Sequence, residues 1–302
     1  MTENMQKKYS SKVNNFFTST RKYIYKIKEK NFKTGDFFFL VLPWLLLASL
    51  LIVFPLILLF FYSFFDVTSS SFISLTMNNY GDFFSTFNMM QVLFTSLLVG
   101  IFTTMASLIF GYPIAYYLSN LKNKHKKSTF LILITMPIWI NMLIRVLATQ
   151  VIVQWIAPQI IGTYFGVILG MTYTFIPFMI LPIYNSLNKR DRDLEKASKD
   201  LGASSMYTFW KITLPNSLNA IYSGSIMVLL PSMTSITVTR YMSGGSINNI
   251  GNILENLFVN STSYTYGAAV AIITLIFMSV IIIVLRLMTK QKRAKKKEGS
   301  NE

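Results

Sequence analysis

The sequence contains few residues that could do chemistry. It has no Cys, which excludes disulfides, thiolate catalysis and Cys-ligated metal sites. His125 is the only histidine, and it stands among the lysines of the segment 120–128, so we interpret it as a solvated loop residue. No segment has the form GxxxxGK[ST] that would bind nucleotide phosphates. We therefore predict that the chain is not an enzyme, has no catalytic residue and no metal site, and binds no cofactor.

Two arginines, Arg145 and Arg240, lie within long apolar blocks of the sequence. If those blocks cross a membrane, a charge inside them is costly unless it reaches water, a partner or the interface. Arg145 stands well inside its block, which favours a position facing a pathway or a partner helix. The alternatives are a structural ion pair or a side chain that extends to the interface. Arg240 stands at the end of its block, so a side chain that extends to the interface is as good an interpretation as a functional position.

The apolar blocks must position these residues. The chain has 302 residues, of which 52% are hydrophobic and 13% charged, whereas a soluble domain has roughly 25% charged residues. Each block exceeds the ~20 residues that a helix needs to cross hydrocarbon. We predict an all-α integral membrane protein with six transmembrane helices, at residues 37–65, 92–119, 129–152, 164–187, 216–240 and 266–289. Prolines predict irregular points within them, at Pro43, Pro55, Pro137, Pro177, Pro182 and Pro231.

The distribution of Lys and Arg predicts the orientation. The segments 1–36, 120–128, 188–215 and 286–302 hold 9, 4, 6 and 7 of them, whereas 66–91, 153–163 and 241–265 hold none. Basic segments remain in the cytoplasm, so both termini are predicted to be cytoplasmic in a multi-pass protein of the cell (plasma or inner) membrane. The net charge of +16 is explained by these segments and anionic lipid, not by nucleic acid.

Three regions follow from this division. Residues 1–36 form a basic cytoplasmic segment, in which the mixture of aromatic and basic residues at 13–33 predicts a helix lying on the membrane interface. Residues 37–290 form the transmembrane domain. Residues 291–302 form a charged tail with no apolar face, which we predict to be disordered.

The cytoplasmic segment 188–215 is patterned for contact with a partner. Leu194, Ala197 and Leu201, followed by Phe209 and Ile212, can form apolar faces on two short helices. Gly202 lies between the two helices and supplies a permissive backbone. Proline fits a first helical turn, so Pro215 is predicted to end this hairpin and to begin the next transmembrane helix. The alternative is a surface loop lying on the membrane.

This segment resembles the cytoplasmic loop of ABC-importer permeases, the binding-protein-dependent inner-membrane components. That signature reads EAA, three residues, Gly, nine residues, Ile, one residue, Leu-Pro. The register places Ala197, Gly202 and Ile212 at matching positions, with Leu214 and Pro215 as the ending. It departs at its start, where Lys196 stands in place of the family's Glu and Ser198 in place of the second Ala, while Glu195 is one position early.

Four further segments are similar to the first permease subunit of spermidine/putrescine ABC importers: GYPIAYYLSNL (111–121), MPIWINMLIR (136–145), FIPFMILPIYNSL (175–187) and LLPSMTSITVTRYMSGG (229–245). The resemblance implies a type I, MetI-like permease that pairs with a second permease. It also implies two copies of an ATPase subunit, which would bind ATP and Mg²⁺, and an external substrate-binding protein. The residues that the resemblance assigns to ATPase coupling are Lys196, Ala197, Ser198, Leu201, Gly202, Ala203, Phe209, Ile212, Leu214 and Pro215.

The substrate is expected to be a polyamine on the strength of that resemblance. A polycation favours aromatic faces along its path, and the residues that we assign to the pore or pathway are Trp139, Asn141, Arg145, Tyr173, Arg240 and Tyr241. The same architecture for iron or an inorganic anion is the alternative. An ion-coupled secondary carrier is disfavoured because the predicted spans contain no Asp or Glu that could relay an ion, and a membrane-bound enzyme because no nucleophile and base occur together.

Overall fold

A computed structural model describes residues 34–66, 74–260 and 263–298. The chain divides into two compact units after Leu58. The helices are α1 (Thr34–Ala48), α2 (Phe54–Tyr62), α3 (Asn78–Ser85), α4 (Phe87–Asn120), α5 (Lys124–Trp139), α6 (Met142–Ile156), α7 (Tyr164–Asn188), α8 (Asp193–Asp200), α9 (Ser205–Thr208), α10 (Leu214–Thr234), α11 (Ile236–Ser243), α12 (Ile250–Glu255) and α13 (Tyr264–Glu298).

Shorter elements join these helices. Turns of π-helix occupy Ser49–Val53, Phe209–Thr213 and Asn256–Asn260, and a turn of 3₁₀-helix occupies Pro158–Ile160. The strands β1 (Phe65–Asp66) and β2 (Ser74–Leu75) form one short antiparallel pair. The described residues therefore form a helical protein, as predicted, with this pair of two-residue strands as their sheet structure.

Four segments are helical, apolar and long enough to cross a membrane unaided: Val41–Tyr62, Phe87–Asn120, Tyr164–Asn188 and Tyr264–Leu287. Two further helix pairs meet the same criteria together but are sharply bent. The number of spans among the described residues is therefore four, or as many as six if each bent pair crosses once. Six remains a prediction.

The first bent pair covers the predicted span at 129–152, in which Pro137 predicts an irregular point. The chain turns by 100° between α5 and α6. Pro137 lies in the last turn of α5, and Ile140 then adopts an extended conformation. Asn141 caps α6, and its side chain accepts a hydrogen bond from Leu143 N. Asparagine is a favoured N-cap because its side-chain oxygen satisfies a free amide of the first turn. The break is therefore built into the local sequence.

The second bent pair covers the predicted span at 216–240, in which Pro231 predicts an irregular point. Here α10 ends shortly after Pro231, and α11 leaves at an angle of 61° after Ser235. The Ser235 carbonyl accepts hydrogen bonds from Asn249 Nδ2 at 3.0 Å and from Thr239 Oγ1 at 2.9 Å. Asn249 Nδ2 also donates to Thr239 Oγ1 at 2.8 Å, so side chains bridge the backbone groups of the bend.

The core lies where α4, α7 and α10 pack against one another. Met179 of α7 is completely buried between two glycines. A Cβ atom at Gly224 of α10 would lie 2.8 Å from Met179 Sδ, and one at Gly111 of α4 would lie 3.3 Å from Met179 Cγ. The absence of side chains at both glycines lets the three helices approach closely around one flexible thioether.

A smaller core joins α3, α4, α12 and α13. Its buried members are Phe83, Leu93, Ile250 and Val270. Ile250 N also donates a hydrogen bond to Ser96 Oγ at 2.9 Å, which attaches the start of α12 to α4. This cluster fixes the segments that follow β2 and precede α13, on the side of the protein that the sequence predicts to be external.

The predicted terminal segments have different outcomes. The interfacial helix at 13–33 lies outside the described residues, whereas residues 34–36 belong to α1. The tail predicted to be disordered from residue 291 is helical as far as Glu298, because α13 continues without a break. Its Lys, Arg, Gln and Ala residues are good helix formers, so the prediction from charge alone was wrong over 291–298.

Candidate functional site

The segment 188–215 forms a helical hairpin. The first arm is α8, and Gly202 follows it with a φ of +84°. Gly202 N donates to Lys199 O at 2.9 Å and Ala203 N donates to Ser198 O at 3.1 Å, so both amides close the end of α8. A left-handed residue at this point is the usual way to end a helix, and only glycine adopts it freely. Ser204 Oγ accepts from Tyr207 N at 3.2 Å and starts the second arm.

The second arm continues into the bundle. A π-helical turn joins α9 to α10, and Leu214 N donates to Phe209 O, five residues earlier. Pro215 lies in the first turn of α10, as predicted, but it does not end the hairpin. Residues 205–234 therefore form one helical element, so a displacement of the second arm is passed directly to α10.

An open groove of about 650 Å³ lies between the arms. Leu201, at its tip, is 89% exposed, an unusual position for an apolar side chain of that size. Six of the ten residues assigned to coupling border this groove, and the complete lining is Leu194, Ala197, Ser198, Leu201, Gly202, Ala203, Ser204, Tyr207 and Ile212.

The other assigned residues lie elsewhere. Phe209 turns towards the bundle and packs edge-on against Tyr112 and Tyr116 of α4, with ring centroids 5.7 and 5.5 Å apart. Leu214 and Pro215 are half-buried at the start of α10. Lys196 is exposed and pairs with Asp193 at 2.7 Å. Their hydrogen bond lowers the pKa of the Asp193 carboxyl and raises the pKa of the Lys196 amine.

The sequence did not indicate the role of Glu195. This carboxylate points away from the groove and forms an ion pair with Arg190, with Oε1 2.8 Å from Arg190 Nε. Its Oε1 also accepts a hydrogen bond from Thr213 Oγ1 of the second arm at 2.6 Å. Glu195 thus closes the base of the hairpin from the inside. The exposed face at this point of α8 carries Lys196.

Arg145 is buried inside the protein. It lies in the first turns of α6 with 9% of its surface exposed, and its Nε and Nη1 atoms have no hydrogen-bond partner among the described residues. It takes part in none of the ion pairs in that part of the chain. Arg145 is therefore enclosed by the chain itself. Its assignment to a pathway or a partner helix stays a prediction.

The remaining pathway candidates are distributed over neighbouring elements. Arg240 of α11 forms an ion pair with Glu255 of α12, so its charge is balanced within the chain. Trp139 ends α5 and is highly exposed, Asn141 caps α6, Tyr173 is half-exposed on α7, and Tyr241 is partly buried on α11. The helix α11 packs against α6 and α7.

The sequence places the protein in a known family. The family described as "Binding-protein-dependent transport system inner membrane component" matches residues 38–296. The chain belongs to this family. The family resemblance found in the loop 188–215 is thereby confirmed over almost the whole sequence.

Two relatives carry the same description, spermidine/putrescine transport system permease protein PotB. The one from Escherichia coli (strain K12) is 33% identical over 209 residues, covering 64% of this chain and 76% of the relative. The one from Haemophilus influenzae is 32% identical over 262 residues, covering 81% of this chain and 90% of the relative.

Solved structures share the fold. A bacterial ABC transporter that imports the acidic polysaccharide alginate contains a chain with a TM-score of 0.62 and 17% identity, covering 84% of this protein and 98% of that chain. The MetNI methionine ABC transporter contains one with a TM-score of 0.52 and 19% identity, covering 69% and 98%. The predicted fold, an ABC-importer permease of the MetI-like architecture, is confirmed by these similarities.

Proposed function

We propose that this chain is a permease subunit of an ABC importer for polyamines such as spermidine and putrescine. The observation that carries the proposal is the hairpin at 188–215. It forms an open, largely apolar groove between two helical arms, and the second arm leads directly into α10. The substrate class is supported by the two permeases described for spermidine and putrescine, to which most of the chain is similar. The chain is a transport component, and ATP hydrolysis belongs to a partner.

The proposed assembly has four kinds of contact. This chain spans the membrane six times, has both termini in the cytoplasm and pairs with a second permease subunit. Two ATPase subunits bind ATP and Mg²⁺ on the cytoplasmic side, and an external binding protein delivers the substrate. Membrane lipid covers the remaining apolar surface. The excess of Lys and Arg in the segments 120–128 and 188–215 supports this orientation.

The hairpin acts as a mechanical linkage in this mechanism. Leu194, Leu201 and Tyr207 present apolar surface that a groove of the ATPase can cover. When the ATPase dimer closes on ATP, the hairpin moves with it, and the continuous helix at 205–234 passes the movement to the core of α4, α7 and α10. The pathway then opens towards the outside, and hydrolysis of ATP reverses the movement. This is alternating access by rigid-body motion.

The assigned pathway residues include two arginines. Arg145 has no ion pair among the described residues and would repel a polycation. Arg240 would repel one, but Glu255 balances its charge. Trp139 and Tyr173 expose aromatic faces, which attract cations. The chain provides a weakly binding passage in this proposal, and selectivity resides in the external binding protein.

The test is transport by the reconstituted importer. Vesicles containing this chain, its sister permease and the ATPase, supplied with the binding protein, should accumulate radiolabelled spermidine only with ATP. Competition by iron or by sulfate, but not by putrescine, would contradict the substrate. Uptake driven by an ion gradient without the ATPase would contradict the importer.

A matched pair of substitutions tests the hairpin. Leu201→Asp places a charge where the ATPase should exclude water, and an unpaired charge is costly to desolvate. Leu201→Met keeps an apolar side chain of similar volume. We expect the Asp variant to lose at least tenfold in both ATPase copurification and uptake, and the Met variant to retain both. Equal behaviour of the two variants would mean that a surface loop, and not the coupling element, occupies this position.

A further inference from the structure

Arg190 follows the end of α7, and its side chain is only 7% exposed. Its Nη1 atom donates hydrogen bonds to Ser119 Oγ at 2.8 Å and to Leu187 O at 3.2 Å. Its Nη2 atom donates to Asn120 Oδ1 at 2.6 Å and to Glu195 Oε2 at 3.3 Å, and Nε lies 2.8 Å from Glu195 Oε1. Nη1 and Nη2 therefore both donate hydrogen bonds, whereas Nε lies at ion-pair distance from Glu195 without a hydrogen bond among the described residues. The acceptors come from three helices.

Those contacts connect the hairpin to the end of α4. Ser119 and Asn120 are the last two residues of α4, and the guanidinium group also lies over the Tyr116 ring at 5.3 Å. On the other side, Glu195 belongs to the first arm of the hairpin and binds Thr213 of the second arm. Arg190 and Glu195 together thus connect both arms to α4, beside a second contact in which Arg192 Nη2 donates to Ser119 O at 2.6 Å.

We propose that Arg190 is a positioning residue for energy coupling, which locks the hairpin to the cytoplasmic end of α4 so that both move as one rigid body. This inference rests on the proposed function of the hairpin as the ATPase contact. Only arginine has a planar fork that reaches acceptors in several directions, whereas lysine offers a single nitrogen. The buried charge makes the link specific, because any arrangement that separates Arg190 from its acceptors leaves it unpaired.

The first experiment measures coupling in the reconstituted importer. Arg190→Lys retains the charge but cannot reach Ser119, Asn120 and Glu195 together. We expect the number of spermidine molecules imported per ATP hydrolysed to fall at least fivefold. A loss of folded complex would lower uptake and hydrolysis together and leave that ratio unchanged, which would contradict the proposal. Lys189→Gln, at the exposed neighbouring cation, is the matched control and should leave the ratio unchanged.

A charge exchange distinguishes stabilisation of the hairpin by Arg190 from its link to α4. The double variant Arg190→Glu/Glu195→Arg restores an ion pair within the hairpin but gives Ser119 and Asn120 a carboxylate in place of the fork. We expect it to remain uncoupled. Recovery of the ratio by this exchange would show that Arg190 only stabilises the hairpin and would overturn the proposal. Conversely, Ser119→Ala/Asn120→Ala removes the acceptors on α4 and should reproduce the defect of Arg190→Lys.

A second measurement does not depend on the substrate. The chain has no Cys, so spin labels can be attached uniquely to cysteines introduced at Lys122, just after α4, and Lys199, on α8. In the complete complex we expect the distance between the two labels to have one narrow distribution that is the same with and without ATP. In Arg190→Lys the width of that distribution should at least double. A narrow, unchanged distribution in that variant would refute the rigid link even if the importer carries another substrate. Failure of spermidine uptake with the expected distances would refute only the proposed substrate.

Discussion

The ring of Phe209 should anchor the hairpin to the bundle, and its removal should loosen the hairpin without unfolding the protein. The ring makes two edge-to-face contacts with Tyr112 and Tyr116. Such pairs contribute about 0.5–1.5 kcal/mol each beyond the burial of area, and Phe→Ala costs about 3–5 kcal/mol at a fully buried site. Phe209 is only half-buried, so we expect Phe209→Ala to cost about 2 kcal/mol, roughly a thirtyfold change in an equilibrium constant.

Hydrogen exchange measures this change directly. In the purified importer complex, the amides of residues 193–213 should exchange about thirtyfold faster in Phe209→Ala, because local opening governs their protection. Amides in the middle of α7 should exchange as in the parent protein. Met206→Ala is the matched control, since Met206 lies on the same arm but is largely exposed, and a surface substitution should change the stability by less than ~0.5 kcal/mol. Equal acceleration in the two variants, or acceleration spread over α7, would refute the anchoring role.

Four further predictions follow from named contacts. In intact cells, an impermeant thiol reagent should label Gly81→Cys and not Ser205→Cys; labelling of both would contradict the predicted orientation. At Gly202 an added Cβ would meet no neighbouring atom, but alanine would have to adopt a left-handed backbone at a cost of about 1–2 kcal/mol. Copurification of the ATPase should therefore weaken more in Gly202→Ala than in Gly202→Asn. Equal weakening in the two variants would point to a clash. Arg145→Met should raise the free energy of unfolding by about 1–3 kcal/mol, because it removes buried donors that have no partner among the described residues. Uptake should fall in the same variant, and unchanged uptake would show that Arg145 has no role in transport. Arg240→Ala should cost less than ~1 kcal/mol by denaturant titration, since the pair with Glu255 is partly exposed; a larger loss that resists added salt would contradict this.

The shape of the hairpin could be predicted because its determinants are local. Gly202 separates two apolar patterns, and a residue with positive φ between short helices follows from that spacing alone. The direction of Glu195 could not be predicted in this way. It depends on Arg190, which in turn depends on Ser119, 71 residues earlier in the chain. Contacts of that kind arise from the packing of helices, about which the hairpin sequence carries no information.

The apolar blocks could be located for the same reason, but the prolines that break a helix could not be told from those that do not. A block of more than 20 apolar residues satisfies the length criterion for a span whether it is straight or broken. Prolines occur in both straight and broken helices. The helix α7 contains Pro177 and Pro182 and is uninterrupted, whereas breaks follow Pro137 and Pro231. The difference lies in the residues after the proline, since Asn141 caps a new helix and Ser235 is held by Asn249.

The position of Met179 between Gly111 and Gly224 limits how this sequence can change. Any side chain at Gly224 would collide with the thioether, and a shorter residue at 179 would leave a void that faces both glycines. The three positions should therefore covary among permeases related to this one, with a small residue at 179 accompanied by alanine or serine at 111 or 224. Engineering of α4, α7 or α10 would have to treat the three sites as a single unit, because a change that is neutral in one background would be destabilising in another.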